Sequence, residues 1–338
     1  MSATMRAIQA HQFAISGLKL TEVPIPTPGK GEVLVRVGAA TLNYRDLAVL
    51  GGDYIKGLPL PYVPASDACG TVAEIGPGVT RFKKGDRIVP IYTQGWHDGK
   101  PTPEQRAKRT LGAPLAGVLQ DYILIPEEDA VTPPSHLTDV EAATLPIAGL
   151  TAWSALDEAN VKSGDDVLLQ GTGGVSLFAL QFAKLSGARV TILSSSDEKL
   201  ARAKALGADF GVNYRTTPEW DVEVKRLTDG RGADIVVETI GSSLGRSLSA
   251  VAFGGTISVV GFVAGYSTEL NIRQLIGPMV SVKGIAVGSR RGFIDMNRAI
   301  EVTGIKPVVD KTFEMSETAE AFKYMKSGAH FGKIAITI

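Results

Sequence analysis

Two hydrophobic patterns divide the sequence near residue 135. Before that point, short apolar runs are separated by glycine and proline, which predicts the strands of a twisted, mostly antiparallel β unit with few helices. The predicted strands are residues 18–23, 32–37, 70–75, 87–91 and 120–125. Residues 92–114 are polar and rich in glycine, proline and charge, so we expect a long surface loop there.

After residue 138 the hydrophobic period changes. Residues 139–145 and 150–160 have helical patterns, and apolar strands then alternate with helices up to residue 262. The predicted strands are 167–170, 189–193, 210–214, 234–240 and 256–262, and the helices between them reach 186 or cover 198–206, 220–227 and 244–252. Because these strands are almost continuously apolar, they indicate a parallel sheet covered by helices on both faces, which is a doubly wound α/β domain.

The tail departs from this alternation. Residues 280–286 predict a strand, 293–303 and 317–326 predict helices, and 333–338 alternates apolar and polar positions as a half-buried strand does. We therefore expect the tail to return to the N-terminal β unit.

Composition and charge exclude several classes of protein. The 338 residues include 35 Lys and Arg against 35 Asp and Glu, so no net field favours nucleic acid or an anionic membrane. With 44% hydrophobic residues the chain can bury full cores, and each apolar run is shorter than the about 18–20 residues that span a bilayer. The N-terminus lacks the long apolar segment of a secretory signal, and the single cysteine, Cys69, cannot form an intrachain disulfide. We expect a globular cytoplasmic protein that binds neither nucleic acid nor a membrane.

A glycine-rich turn joins the first strand of the doubly wound domain to its helix. Residues 171–176 read GTGGVS, in which the first glycine permits a tight turn and the second lets the backbone approach a pyrophosphate. The following helix N-terminus offers unpaired N–H groups. A dinucleotide fits this pattern, and the expected binding residues are Gly171, Gly173, Gly174 and Val175. The last glycine of the G-x-G-x-x-G pattern is replaced by Ser176, and a turn that is merely tight is the alternative.

The end of the second strand discriminates between NAD and NADP. An NAD site places a carboxylate about 20 residues after the glycines to accept from the ribose 2′-hydroxyl, but here three serines stand at 194–196. Hydroxyls can donate to a 2′-phosphate, which a carboxylate would repel. The pattern favours NADP, and the expected ligands are Ser194, Ser195, Lys199 and Tyr214. Helix capping is the alternative role for one serine, and Asp197 is a carboxylate only a few positions too late.

Four motifs, in this order, resemble those of the medium-chain dehydrogenase/reductase family. They are AGLTAW at 148–153, GTGGVS at 171–176, SSSDEK at 194–199 and HFGKI at 330–334. The sequence is similar to the zinc-independent quinone oxidoreductase branch over nearly the whole chain. The resemblance implies a GroES-like catalytic domain made of residues 1–146 and 284–338, and an NADP-binding Rossmann domain of residues 147–283. It also implies a homodimer joined edge to edge at strand 280–286, since an apolar sheet edge must be covered or paired.

Zinc-dependent members of this family use metal ligands that the sequence lacks. The matching positions are occupied by Asn43, Ser66 and Ile147, and the lobe that holds a structural zinc with four cysteines corresponds to the cysteine-free stretch 92–114. The four histidines are scattered, and one cysteine leaves no C-x-x-C spacing. We therefore expect a metal-free enzyme.

Loss of the metal changes the expected chemistry. Without a Lewis acid, direct oxidation of an alcohol loses much of its charge stabilisation. Hydride addition to the far carbon of an enone or quinone instead spreads the negative charge onto oxygen, where hydrogen-bond donors suffice. The sequence therefore predicts NADPH-dependent reduction of small quinones or α,β-unsaturated carbonyls in a cleft between the two domains. An alcohol dehydrogenase or aldehyde reductase of the same fold is one alternative, and a non-catalytic NADPH-binding sensor or structural protein is another.

Three residues are candidates for catalysis. We expect Asn43 and Tyr44 beside the nicotinamide, and we expect Tyr54 to give a hydrogen bond or a proton to the enolate. A packing aromatic is the alternative role for Tyr44, and a loop anchor is the alternative for Tyr54. By resemblance, the residues that line the nicotinamide and the phosphates are Thr151, Gly261, Phe262, Val263, Gly288, Ser289, Gly332 and Lys333, although the glycines could simply form turns.

Other polar and aromatic residues have less specific expectations. Asp46 and Asp67 are expected to be structural, capping a helix or pairing with Arg45. The aromatic cluster Tyr92, Trp96 and His97 either lines the substrate cleft as a lid or faces solvent.

Overall fold

The computed structural model describes residues 3–338, and the chain forms two units. The first unit contains the residues up to Leu150 together with Ser289–Ile338, and the second contains Thr151–Gly288. Within residues 3–338, no helix has the length and apolar character that crossing a membrane requires.

Fifteen strands lie in the described part of the chain. In the first unit they are β1 (Thr4–Ala10), β2 (Leu18–Pro24), β3 (Glu32–Thr41), β4 (Asp67–Ile75), β5 (Arg87–Pro90), β6 (Tyr122–Pro126) and β7 (Ala130–Val131). In the second unit they are β8 (Asp166–Gln170), β9 (Arg189–Ser194), β10 (Phe210–Asn213), β11 (Ala233–Glu238), β12 (Val251–Val259) and β13 (Ser281–Gly284). The first unit is completed by β14 (Val309–Glu314) and β15 (Lys333–Thr337).

Eleven α-helices connect these strands over the same residues. They are α1 (Tyr44–Leu50), α2 (Pro103–Lys108), α3 (Asp139–Ala142), α4 (Leu150–Asp157), α5 (Gly174–Leu185), α6 (Asp197–Ala205), α7 (Trp220–Leu227), α8 (Leu244–Ala250), α9 (Ile272–Ile276), α10 (Arg290–Thr303) and α11 (Thr318–Ser327). A π-helical turn, Leu145–Gly149, leads into α4. Such turns are rare, and they occur often at functional sites.

The first unit is built around β3. In β3 the side chains of Val33, Val35 and Val37 share one face with the two-residue period of a strand, and all three are buried. The strands of the main sheet follow the order β14, β15, β3, β4, β5, β7, and β6 also pairs with β3. The last strand therefore lies beside β3, antiparallel to it, with Ala335 opposite Thr41.

The expectation of a surface loop over 92–114 is wrong for the two ends of the stretch, because 92–94 and 110–113 are buried, whereas most residues of 98–109 are exposed. Tyr92 and Trp96 are buried, at 4% and 8% exposed, and the stretch contains α2. The signal for α2 was present in the sequence: Thr102 accepts from the Gln105 N–H at 3.2 Å, and Gln105 Oε1 accepts from the Thr102 N–H at 2.7 Å. This capping box, with Pro103 at the first helical position, marks a helix start within polar sequence.

Hydrogen bonds within the protein satisfy the polar groups at the start of this stretch. The Asp129 carboxylate accepts from the Gly95 N–H at 2.7 Å and lies 2.9 Å from His97 Nε2. The backbone N–H groups of Arg290 and Arg291 donate to the carbonyls of Trp96 and His97, each at 2.9 Å. Polar groups paired in this way lose little on leaving water. Hydrophobic patterning does not record these partners.

The second unit confirms the doubly wound α/β domain. Its six strands are all parallel and follow the order β10, β9, β8, β11, β12, β13. Leu168, Val236 and Ile257, from three neighbouring strands, are fully buried because helices cover both faces of the sheet. The strand order reverses between β8 and β11, and ligands of such sheets bind beyond the carboxyl ends of the strands at this reversal.

Candidate functional site

The turn after β8 leaves open space beside its backbone. Gly171 has a left-handed φ of 75°, and a Cβ placed on Gly171 or Gly173 would meet no atom of the described residues within 4 Å. Gly174 and Val175 begin α5, whose first-turn N–H groups point towards the turn. Ser176 Oγ donates to the carbonyl of Gln170 at 2.7 Å, so this serine closes the turn onto its own strand. An open glycine backbone at a helix N-terminus fits the pyrophosphate of a dinucleotide.

The end of β9 brings together several residues predicted to select NADP. The Tyr214 N–H donates to the Ser194 carbonyl at 3.1 Å, and the Ser196 N–H donates to Ser194 Oγ at 3.3 Å. The capping role falls to Ser196, whose hydroxyl accepts from the Lys199 N–H at 3.3 Å. The hydroxyls of Ser194 and Ser195 are therefore not used to cap α6. Ser194 is buried and Ser195 is half-buried.

Asp197 is the carboxylate near the position typical of NAD sites, and it has a partner within the protein. Its Oδ1 accepts a hydrogen bond from Asn213 Nδ2 at 2.8 Å. This contact holds the carboxylate against the end of β10, and the carboxylate is therefore partly satisfied without a ribose hydroxyl.

The loops after β11 and β12 lie against each other. A Cβ on Gly261 would lie 2.6 Å from the Thr239 carbonyl oxygen, so only glycine permits this approach. The Val263 N–H donates to the same carbonyl at 3.3 Å, and the rings of Phe262 and Tyr266 are 4.9 Å apart. The predicted residues 261–263 are thus held together on one loop.

The remaining predicted cofactor residues are dispersed. Thr151 is buried in α4, Gly288 ends the second unit, and Ser289 begins the first unit's later segment, where its hydroxyl caps α10 by accepting from the Gly292 N–H at 3.2 Å. Gly332 and Lys333 belong to the first unit. There the Lys333 side chain lies in a cluster with one of the catalytic candidates.

That cluster contains Asn43, Asp67 and Lys333. Lys333 Nζ donates to Asn43 Oδ1 at 2.7 Å and to the Leu42 carbonyl at 2.8 Å, and it lies 3.3 Å from Asp67 Oδ2. Asn43 Nδ2 donates to the same Asp67 oxygen at 2.8 Å, and Thr41 Oγ1 lies 3.4 Å from it. Asp67 is fully buried, and Lys333 and Asn43 are 3% and 9% exposed. The Asn43 amide therefore has a fixed orientation, and one of its two Nδ2 hydrogens remains outside these contacts.

Burial shifts the titration of the charged members of the cluster. Loss of water raises the pKa of Asp67, which Lys333 and the Asn43 amide oppose. The same loss lowers the pKa of Lys333, which Asp67 opposes. The expected pairing of Asp67 with Arg45 is wrong: the cation beside Asp67 is Lys333.

Asp46 caps a helix, which was one of its two expected roles; the other was pairing with Arg45. Its Oδ2 accepts from the Asn43 N–H at 2.8 Å, forming a capping box at the start of α1. Its Oδ1 accepts from Ser66 Oγ at 3.2 Å, and Ser66 lies 2.9 Å from the Leu111 carbonyl. Burial raises the pKa of Asp46 from 3.8 to about 6, against the opposing charge of Arg45.

The residues at the three zinc-ligand positions do not fit a metal. Asn43 is bonded to Asp67 and Lys333, Ser66 to Asp46 and Leu111, and Ile147 lies in the π-helical turn with no donor atom in its side chain. Among residues 3–338, no group of three or more His, Cys, Asp or Glu side chains could hold a metal ion. A buried ammonium, that of Lys333, lies against the first of the three positions.

The two tyrosine candidates lie in and just after α1. Tyr44 is the first residue of α1 and is 42% exposed, and Tyr54 is 36% exposed. The guanidinium carbon of Arg45 lies 5.6 Å from the centre of the Tyr54 ring and 5.2 Å from that of Tyr92. Arg45 in turn donates to Thr110 Oγ1 at 3.3 Å, so a cation between two aromatic faces orients Tyr54.

Two buried carboxylates were not predicted from the sequence. Glu238, a fully buried carboxylate, ends β11 beside the glycine turn, and Asp129 fastens the stretch 92–114. A signal for Glu238 existed, because a carboxylate that ends an apolar parallel strand stands at the ligand-binding edge. The single cysteine, Cys69, is fully buried in β4, and burial raises the pKa of its thiol.

Comparisons with known proteins agree with this architecture. The alcohol dehydrogenase GroES-like domain matches residues 29–135, and the zinc-binding dehydrogenase domain matches residues 174–303. A zinc-type alcohol dehydrogenase-like protein of Schizosaccharomyces pombe is 43% identical over 330 residues, which cover 95% of each chain.

Solved structures have the same fold over the whole chain. A protein of Sinorhizobium meliloti, described as an alcohol dehydrogenase, superimposes with a TM-score of 0.94 and 43% identity over 100% of each chain. A 2-octenoyl-CoA carboxylase reductase in complex with NADP and 2-octenoyl-CoA superimposes with a TM-score of 0.88 and 26% identity, over 100% of this chain and 88% of that one. The chain belongs to the medium-chain dehydrogenase/reductase family of oxidoreductases.

Proposed function

We propose that this oxidoreductase is zinc-independent and NADPH-dependent, and that it reduces quinones or α,β-unsaturated carbonyls by hydride transfer, as members of the quinone oxidoreductase branch do. The observation that carries the proposal is the cluster of Asn43, Asp67 and Lys333, in which an amide and an ammonium stand where a metal ligand would be needed. Residues 147–283 are proposed as the cofactor domain, and residues 1–146 and 284–338 as the catalytic domain.

The residues of the catalytic domain suit an acceptor that is already activated. When bound, reduced nicotinamide supplies a hydride. Addition at the far carbon of a conjugated carbonyl moves negative charge onto oxygen, where an N–H or O–H donor stabilises it. Asn43 Nδ2 keeps one hydrogen for such an oxygen, and the Tyr44 and Tyr54 side chains are partly exposed and reachable by a substrate. An alcohol gains no comparable activation from these groups, since none is a Lewis acid.

The preference for NADPH is proposed on the residues after β9. Ser194, Ser195 and Lys199 offer hydroxyl groups and an ammonium, whereas the nearest carboxylate, that of Asp197, is held by Asn213. A 2′-phosphate finds donors and a positive charge there. The structure with NADP and an enoyl thioester bound supports both the cofactor and the substrate class for a chain of this fold.

A homodimer is also proposed, through the edge strand β13. Val282 on this strand is 40% exposed, and Ile276 and Met279 just before it are 70% and 66% exposed. A second copy can pair its own β13 with this edge and cover these side chains.

The reaction is tested by following NADPH oxidation with a panel of enones, quinones, simple aldehydes and ketones. We expect turnover of enones and quinones, little turnover of the simple carbonyls, and no change of rate or thermal stability after dialysis against EDTA, because no zinc site holds the fold or the substrate. One zinc per chain by elemental analysis, with loss of activity in EDTA, would show an alcohol dehydrogenase instead. NADPH binding without turnover of any member of the panel would favour a sensor.

The cofactor preference is tested at Lys199. Lys199→Gln removes a positive charge beside the proposed 2′-phosphate, so the Kd for NADPH should rise by about tenfold while the Kd for NADH stays unchanged. Lys204→Gln removes the same charge from the last turn of α6 and serves as the matched control. Equal binding of NADH and NADPH by the wild-type protein, measured by fluorescence titration, would contradict the assignment.

The proton donor is tested with Tyr54→Phe. Losing one positioned donor should lower kcat for an enone by about tenfold or more, with NADPH affinity nearly unchanged. Quinones should lose less, because their reduced form carries negative charge more easily. Tyr122→Phe, on β6, controls for loss of a phenol elsewhere in the unit. A Phe variant that turns over enones at the wild-type rate would make Tyr54 a packing residue.

The dimer is tested by light scattering at micromolar concentration. The wild-type protein should have the mass of two chains, and Val282→Lys should have the mass of one, because paired edges would place two like charges close together. Val222→Lys, at an exposed position on α7, is the control that should stay dimeric. A monomeric wild-type mass would contradict the proposal.

A further inference from the structure

A buried carboxylate ends the central strand β11 of the second unit. Glu238 is fully buried, and the ion pairs within residues 3–338 do not include it. Its charge is instead met by hydrogen-bond donors. The distances from its oxygens to these donors are 2.9 Å to the Ile240 N–H, 3.0 Å to the Gly241 N–H, 2.9 Å to Ser243 Oγ and 2.8 Å to Gln170 Nε2, and Ser247 Oγ is a further close partner.

Two of these five donors are backbone N–H groups, which cannot accept, so an oxygen must face them. An ionised carboxylate has lone pairs on both oxygens and no hydrogen, so every neighbour can donate to it. A neutral amide at the same position replaces one acceptor oxygen by an NH2 group, so Ser247 or Gln170 must reorient to accept from it. An unsatisfied or opposed donor in a buried site costs much more than one at the surface.

Gln170 connects Glu238 to the glycine turn. Gln170 ends β8 and directly precedes Gly171. Its backbone carbonyl accepts from Ser176 Oγ at 2.7 Å and from Thr239 Oγ1 at 3.0 Å. One residue therefore joins the end of β8, the first turn of α5 and the loop after β11.

The same loop supports the one after β12. The Val263 N–H donates to the Thr239 carbonyl at 3.3 Å, and the Ala264 N–H donates to the Ile240 carbonyl at 3.0 Å. Hydrogen bonds thus connect three loops at the ligand-binding edge of the sheet to one carboxylate, that of Glu238. Preset loops of this kind lower the cost of ordering the site when a ligand binds.

We propose that Glu238 is a positioning residue for the dinucleotide: through Gln170 it fixes the glycine turn and the loop after β11 in the arrangement that receives the pyrophosphate. The inference rests on the proposed function, and it assigns a role to a residue that does not itself touch the cofactor.

The experiment measures the binding of three ligands by calorimetry. NADPH and 2′-phospho-ADP-ribose contain the pyrophosphate, whereas adenosine 2′-monophosphate does not. For Glu238→Gln, the Kd of the first two ligands should rise by about tenfold, while that of adenosine 2′-monophosphate stays within about twofold of the wild-type value. A loosened fold would weaken all three ligands alike, so the third ligand reports a structural effect.

A charge exchange provides the rescue. In the double variant Gln170→Glu with Glu238→Gln, the carboxylate and the amide change places, and the Ser243 and Ser247 hydroxyls can rotate to suit. The Kd of NADPH should return to within about threefold of the wild-type value. Glu219→Gln, an exposed carboxylate of the same unit, is the control that should leave all three affinities unchanged.

The outcomes separate the inference from the proposed function. Unchanged NADPH affinity in Glu238→Gln, equal weakening of all three ligands, or a double variant no better than the single one would each overturn the inference alone. A wild-type protein that binds none of the three would overturn the proposed function, and the inference with it.

Discussion

The buried Lys333 ammonium joins the two separate segments of the first unit. It belongs to the last strand, β15, and it donates to Leu42 and Asn43 at the end of β3 and pairs with Asp67 at the start of β4. Removing one partner of a buried pair leaves an uncompensated charge that costs about 3–5 kcal/mol. The two distant segments of the unit are therefore joined by the same group that orients the Asn43 amide. The same contacts therefore contribute to the stability of the unit and orient a residue of the candidate site.

The two units neutralise buried carboxylates in different ways. Asp67 has a full positive charge beside it, whereas Glu238 is met by backbone and side-chain dipoles. A dipole-satisfied carboxylate adds no cation to the sheet edge at which the dinucleotide is proposed to bind. In the first unit the Lys333 cation and the Asp67 carboxylate neutralise each other, so the pair adds no net charge beside Asn43. Each arrangement satisfies a buried carboxylate with partners from the protein itself.

The sequence predicted the second unit better than the first. Near-continuous apolar strands separated by helical periods leave few alternatives to a parallel sheet, and the glycine turn marks the ligand-binding edge. The start of the stretch 92–114 was wrongly expected at the surface, because Asp129 and the backbone of α10 supply its partners from far along the chain. In the candidate site, the capping box between Asn43 and Asp46 follows a local pattern, but the contact of Asp67 with Lys333 spans 266 positions. No local pattern encodes such a pairing, and the roles of Asn43, Tyr44 and Tyr54 stay predictions.

The burial of Cys69 has a consequence for the substrate class proposed above. Enones and quinones are electrophiles that alkylate thiolates. A reactive cysteine near such a substrate would be alkylated, and the enzyme would be inactivated. Cys69 is enclosed in β4, and its raised pKa keeps the sulfur protonated at neutral pH. With no other cysteine in the sequence, the chain presents no exposed thiol that could add to its proposed substrates.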